Sequence, residues 1–168
     1  MKRFTPALLA VCLSFGAYAA ETVNTRPFNA MPADFIKGVD ISTLLEAEQH
    51  GAKFYNQDNQ QQDALAILKA NGVNYVRLRL WVDPKDEQGN TYGGGANDLE
   101  TTLALAKRVK AQGMKLLLDF HYSDFWTDPG KQFKPKAWAK MDYPQLKTAI
   151  HDYTRDTITR FKQEGALP

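Results

Sequence analysis

The chain has 168 residues, 43% of them hydrophobic and 24% charged, with 21 Lys and Arg against 19 Asp and Glu. This composition excludes a disordered, collagenous or coiled-coil chain, and one globular domain is the expectation at this length. The near balance of charge offers no basic footprint for nucleic acid.

The first element is an N-terminal signal. Lys2 and Arg3 open it, Phe4 to Gly16 is largely apolar, and Ala17-Tyr18-Ala19 forms an A-x-A cleavage pattern. Residues 1–19 therefore read as a signal peptide, too short and too interrupted by Pro6 to be a membrane anchor. Cys12, the one cysteine, follows Val11 rather than a small residue, so no lipid attachment is expected. A mature chain starting at Ala20 would be secreted or periplasmic, without cysteine and without net charge. No disulfide would then support the fold. A neutral surface argues against polyanions and anionic membranes and is compatible with uncharged polysaccharides.

Residues 20–34, with Pro27 and Pro32, form a polar lead-in. After them the chain alternates short apolar runs with longer amphipathic ones. Strands are predicted over Ile36–Ile41, Val73–Trp81 and Met114–Phe120, with Gly72 and Gly113 just before the second and third. A helix over about Gln60–Ala70 turns Leu65 and Leu68 inward, and one over Asp98–Gln112 puts Leu99, Thr102, Leu103, Ala106 and Val109 on one face. The last begins near Pro144 after Asp142 and carries Leu146, Ile150, Tyr153, Thr157 and Phe161 inward as far as Gly165. Such alternation predicts a parallel sheet with right-handed crossovers, either a closed (β/α)8 barrel or an open doubly wound sheet.

The faces of the strands favour the barrel. In the second strand Val76, Leu78 and Leu80 alternate with Tyr75, Arg77, Arg79 and Trp81; in the third, Met114, Leu116, Leu118 and Phe120 alternate with Leu117, Asp119 and His121. An open sheet covered on both sides should be apolar on both, whereas a barrel carries polar groups at its working mouth. Asp40, Arg79 and Asp119 recur 39 and 40 residues apart near the strand ends. Together with His121 they are expected to converge at one rim and bind substrate. The plainer alternative is that Asp40 and Asp119 neutralise Arg77 and Arg79, with Arg77 deeper and Arg79 nearer the mouth.

Off the third strand runs Asp119-Phe-His-Tyr-Ser-Asp-Phe-Trp-Thr-Asp-Pro-Gly130, and six aromatics, Phe120, Tyr122, Phe125, Trp126, Phe133 and Trp138, fall within 19 residues. Flat rings with polar neighbours suit the faces of sugars, and Trp126 is the candidate platform. About half of these rings should instead pack beneath the loop. Other chemistries fit less well. Asp119, His121 and Asp124 could approach a metal, but His50 and His151 have no ligand cluster around them, so no metal site is expected. Ser123 lacks a nucleophile elbow. Gly93-Gly94-Gly95 lacks a following Lys-Ser/Thr and reads as a mobile mouth loop rather than a phosphate cradle.

Three segments carry a resemblance: Phe35-Ile-Lys-Gly-Val-Asp-Ile-Ser42, Asn74-Tyr-Val-Arg-Leu-Arg-Leu-Trp-Val-Asp-Pro84 and Leu117-Leu-Asp-Phe-His-Tyr-Ser-Asp-Phe-Trp-Thr-Asp-Pro129. They are similar to the endo-β-1,4-galactanases of glycoside hydrolase family 53, from Phe35 to Pro168. Phe125 and Thr127 stand where that loop carries Thr and Ala. The resemblance implies a retaining (β/α)8 hydrolase cutting the β-1,4-galactan side chains of pectin, or arabinogalactan, from within, as a monomer. Residues 35–168 would be the N-terminal part of its catalytic domain: the first three βα units of a TIM barrel, incomplete, since a barrel takes about 250 residues.

The family's catalytic glutamates sit at the ends of the fourth and seventh strands, so none of the carboxylates here is promoted to that role. Asp40, Arg79, Asp119, His121, Asp124 and Trp126 match family motif positions, with substrate-binding roles implied. No cofactor is expected, calcium being a question for the C-terminal half. Two alternatives stay open. One is a non-catalytic carbohydrate-binding protein; the other is a related barrel acting on mannan, xylan or glucan.

Overall fold

A computed structural model describes residues 31–167; the predicted signal peptide and most of the lead-in lie outside the described residues. Asp34–Pro168 forms one compact unit. Its elements run β1 (Gly38–Asp40), α1 (Leu44–Gln49), α2 (Ala64–Ala70), β2 (Tyr75–Leu80), α3 (Leu99–Ala111), β3 (Lys115–Phe120), a 3-10 turn (Lys136–Trp138) and α4 (Tyr143–Gln163). The strands form one parallel sheet in the order β1-β2-β3. Among the described residues no helix is long and apolar enough to cross a membrane.

The alternation in β2 decides where the core lies. Val76, Leu78 and Leu80 are fully buried, and the first two join Leu65 of α2, Leu103, Leu105, Ala106 and Val109 of α3, and Phe161 of α4 in one cluster. Burying one such side chain contributes about 1.5–3 kcal/mol, so this one face of the sheet holds most of the driving force for folding. Leu105 belongs to the buried stripe of α3 beyond the predicted set, while Leu99 is only partly covered.

Helix starts follow their caps. Asp63 accepts from the N–H groups of Leu65 and Ala66, Asp98 accepts from Thr101, and Asp142 forms a capping box with Gln145. The predicted helix from Gln60 thus begins later, at Ala64, because Gln61 and Gln62 are held in a hairpin against Tyr55 and Phe54. The short α1 has no side-chain cap at Thr43, which leaves no sequence signal for it. β1 is shorter than predicted, since backbone pairing with β2 starts at Gly38. Before that point the Asn74 side chain takes over, accepting from Lys37 N–H and donating to the Phe35 carbonyl.

The other face of the sheet is covered at its C-terminal end, where Trp126 lies over Arg79, but has little cover below that level among the described residues. Leu117 of β3 is 47% exposed there, and the outer edges of β1 and β3 are unpaired. Open edges and uncovered apolar side chains favour association with other chains. Expressed alone, the chain should bind anilinonaphthalene sulfonate and melt over a broad range in calorimetry. A sharp two-state transition of a monomer would contradict this reading of the sheet.

Candidate functional site

The site grows from two cations on one strand. Arg77 and Arg79 share a face of β2, and the parallel register puts Asp40 beside Arg77 and Asp119 beside Arg79. Arg77 donates to Oδ2 of both Asp40 and Asp119, cross-tying the outer strands through the central one. Asp119 Oδ2 lies 3.0 Å from His121 Nε2, and Arg79 Nε lies 3.9 Å from Asp40 Oδ2. Asp40, Arg79, Asp119 and His121 therefore do converge at the strand ends. Arg77 supplies the neutralising contacts of the plainer alternative.

Arg79 lies nearer the strand end than Arg77, yet exposure does not follow that order. Arg79 is the hidden one, its side chain 7% exposed, because the indole of Trp126 lies across its guanidinium with the ring centroid 4.2 Å away. Arg77, below that cover on the same face, is 43% exposed. Trp126 in turn meets Trp81 and His121 edge-on at 5.6 and 5.9 Å, and is itself 44% exposed. An indole clamped from below by a cation and open above is a flat, rigid surface.

Residues not anticipated as part of the site hold this arrangement. Ser42 Oγ accepts from Arg79 N–H at 2.9 Å and donates to Asp40 Oδ1 at 2.7 Å. The Asn97 side-chain amide donates to the Ser42 carbonyl at 2.8 Å, and the Asn97 main-chain carbonyl accepts from Trp81 N–H. Tyr153 of α4 donates its hydroxyl to the Trp81 carbonyl, and burial pushes that phenol up from its ordinary value. Beyond the end of β3, His121 N–H donates to the Leu80 carbonyl, which fixes the backbone from which the imidazole projects. The Asp-x-Ser spacing of residues 40–42 was a visible signal for Ser42; Asn97 and Tyr153 reach the site only through tertiary packing.

The glycine loop corrects an expectation. Instead of a mobile mouth loop, Gly94 accepts from Arg79 through its carbonyl and Gly95 donates its N–H to Glu46 Oε2 at 2.6 Å. Gly95 has φ +106°, and a side chain there would lie 2.5 Å from Asn97 Oδ1 and closer still to the Ser42 carbonyl oxygen. Its role is close approach.

Asp124 stands apart from the other candidates, since its two oxygens accept the N–H groups of Asp83 and Lys136 at 2.9 and 2.8 Å. It braces the loops after β2 and β3, and no metal-ligand cluster forms from it, Asp119 and His121 among the described residues. Of the six aromatics, Phe120, Tyr122 and Trp138 pack with one another or with Tyr153, while Phe125, Trp126 and Phe133 remain exposed.

Chemically, the cluster offers binding groups rather than an acid and a nucleophile. Burial alone would raise the Asp40 carboxyl, but the hydrogen bonds from Ser42 and the charges of Arg79 and Arg77 hold it below its ordinary value. Asp119 is occupied by Arg77 and His121. Four buried side-chain atoms, Arg79 Nε, Trp81 Nε1, Asn97 Oδ1 and His121 Nδ1, have no hydrogen-bond partner among the described residues. Unpaired buried polar atoms gathered at one place single it out from the ordinary core.

Comparison with known proteins agrees with this geometry. The sequence model of Glycosyl hydrolase family 53 matches residues 36–168. The chain belongs to that family. It is 45% identical over 146 residues to the endo-beta-1,4-galactanase of Bacillus subtilis, covering 87% of this chain and 34% of that protein. It is 41% identical to an arabinogalactan endo-beta-1,4-galactanase A of Aspergillus niger, with 84% and 38% covered. The solved Ignisphaera aggregans GH53 catalytic domain superposes with TM-score 0.84 at 46% identity, covering 88% of this chain and 41% of that one. The chain thus spans about a third of the length of the curated relatives it matches. Its three βα units are part of the family 53 TIM barrel.

Two outcomes follow for the barrel completed by its remaining strands. Because the folded-state value of Asp40 is depressed, its contribution to stability is full above the ordinary value of 3.8 and is lost as pH falls through the lower, folded one. Urea midpoints should therefore separate wild type from Asp40→Asn at about pH 7, and the separation should shrink as pH is lowered below 3.8. Second, Gly95→Ala should cost about 2–4 kcal/mol, against about 1 kcal/mol for Gly89→Ala. Both glycines have positive φ, but nothing lies within 4 Å of the latter. Equal melting temperatures for the two variants would contradict the close-approach role.

Proposed function

We propose that this chain is the N-terminal part of an exported, endo-acting retaining hydrolase of β-1,4-galactan, with export following cleavage after Ala19. The observation that carries the reading is the exposed Trp126 indole, seated on buried Arg79 beside His121 and Asp119 at the strand ends of a family 53 barrel. A pyranose ring stacks by its apolar C–H face while its hydroxyls meet charged partners, and this cluster supplies both kinds of contact. The relatives named as galactanases support galactan, of pectin side chains or arabinogalactan, as the polysaccharide.

In this reading Trp126 carries a sugar ring, and Arg79, His121 and Asp119 orient its hydroxyls. Asp40 and Arg77 keep those groups in place, and Asp124 holds the loop on which Trp126 stands. Retention of configuration requires two carboxyl groups about 5–5.5 Å apart, one protonating the leaving oxygen and one attacking the anomeric carbon. In this reading both stand on the fourth and seventh strands, outside the three described here. No cofactor enters the scheme.

Release of reducing ends from β-1,4-galactan tests it. The 168-residue chain alone should release none, whereas the complete enzyme should. In the complete enzyme Arg79→Ala and His121→Ala should each lower kcat/KM by about tenfold or more, equivalent to roughly 1.5–3 kcal/mol of lost polar contact. Trp126→Ala should raise KM with the fold intact by circular dichroism. Cleavage by the purified chain alone would overturn the placement of the catalytic carboxyls.

A further inference from the structure

The short helix α1 carries a carboxylate that the galactan reading leaves without a task. Glu46 is partly buried, forms no ion pair among the described residues, and accepts the main-chain N–H of Gly95, 49 positions away, at 2.6 Å. A carboxylate drawn out of water without a cation is unfavourable, and a short bond from a main-chain N–H is the strong, charge-assisted kind that offsets this. Gly95 itself is buried, so without Glu46 its N–H would have no partner.

What that bond holds is the turn against which Trp126 rests. The carbonyl of Gly94, the preceding residue, accepts from Arg79 Nη2 at 3.2 Å. Its bare Cα faces the indoles, for a Cβ there would lie 3.0 Å from Trp126 Nε1 and 3.4 Å from Trp81 Cη2. Gly94 therefore meets both members of the Arg79–Trp126 pair, one by a hydrogen bond and the other by close approach. Asn97 anchors the chain after the turn, through the Ser42 carbonyl and Trp81 N–H. Glu46 anchors the turn itself.

We propose that Glu46 is a positioning residue for the Trp126 platform. By holding Gly95 N–H it keeps the Gly94 carbonyl on the Arg79 guanidinium and the bare Gly94 Cα against the Nε1 edge of the indole. Trp126 is exposed on one face and touches a cation on the other, so its orientation depends on what meets its edges: Trp81, His121 and Gly94. The first two come from strand ends, whose backbone the sheet fixes; the third stands on a turn that is fixed through Glu46. A ring oriented before its ligand arrives loses less freedom on binding. The consequence for sugar binding rests on the galactan reading, whereas the consequence for the orientation of Trp126 does not.

Fluorine NMR of the complete, unliganded enzyme labelled with 5-fluorotryptophan tests the proposal, the Trp126 and Trp138 resonances being identified by their loss in Trp126→Phe and Trp138→Phe. Glu46→Ala should shift or broaden the Trp126 resonance and leave that of Trp138 in place. Glu46→Asp, which keeps the charge but withdraws the acceptor by one methylene, should do the same and is the milder variant where alanine impairs folding. Glu46→Gln, whose amide oxygen can still accept from Gly95, should restore the wild-type resonance. Gly94→Ala should displace Trp126 and Gly93→Ala should not, since both have positive φ, +71° and +80°, but nothing lies within 4 Å of a Cβ at Gly93. On β-1,4-galactan, Glu46→Ala should raise KM about threefold or more and change kcat less than KM. An unmoved Trp126 resonance in Glu46→Ala or Glu46→Asp, or equal displacement by Gly93→Ala and Gly94→Ala, would overturn the assignment. Because the resonances are read without ligand, an enzyme in which they move as expected but which cuts no galactan sinks the proposed function and leaves the positioning role standing.

Discussion

Two arginines on one face of a central strand must be answered by carboxylates, and the rest of the structure is arranged around that requirement. Arg77 binds Asp40 on one side and Asp119 on the other, so a single guanidinium ties three strands at the level where the site begins. Arg79, two residues further, finds no full carboxylate partner and is covered instead by Trp126. A charge removed from water by an indole is stabilised by the ring's electron-rich face and by the nearby Asp40. The consequence reaches the loop after β3, because the indole that shields Arg79 is held by the same contact that leaves its other face open.

Around this pair, neutral hydrogen bonds give the geometry its rigidity. Ser42 serves Asp40 and Arg79 together, Asn97 serves Ser42 and Trp81, and Gly95 allows Ser42 and Asn97 to come within reach of one another. Positions set by several partners at once are what a binding site for a polyhydroxylated ligand requires, since its discrimination depends on small differences in hydroxyl orientation. Asp124 acts the same way one layer out, joining the loops after β2 and β3 through main-chain groups.

Much of this was legible before any coordinates, and the limits of legibility are physical. Period-two alternation in Tyr75–Leu80 separated a helix-facing side from a charged one, and both sides lie where the pattern puts them. Asp142 before Pro144 marked one helix start and Asn97 or Asp98 another, because capping is local chemistry; Asp98 is the cap. Asp40, Arg79, Asp119 and His121 could be grouped because strand ends in parallel sheets lie together. What could not be read depends on contacts distant in sequence: the burial of Arg79 beneath Trp126, the tight packing at Gly95, and the spending of Asp124 on main-chain donors 41 and 12 residues away. Short α1 lacked a side-chain cap to betray it. Glycine runs carry no mark that separates freedom from close approach, which is why Gly93-Gly94-Gly95 read as mobile.

The central claim is that the Arg79–Trp126 pair, flanked by His121 and Asp119, is the surface on which the substrate's sugar rings lie. A crystal structure of the complete enzyme with a β-1,4-galactan oligosaccharide tests it most directly. The account predicts a galactose ring parallel to the exposed face of Trp126, with hydroxyls within hydrogen-bonding distance of Arg79 or His121. An oligosaccharide bound in the barrel mouth with Trp126 uncovered, and with no hydroxyl reaching either residue, would contradict it.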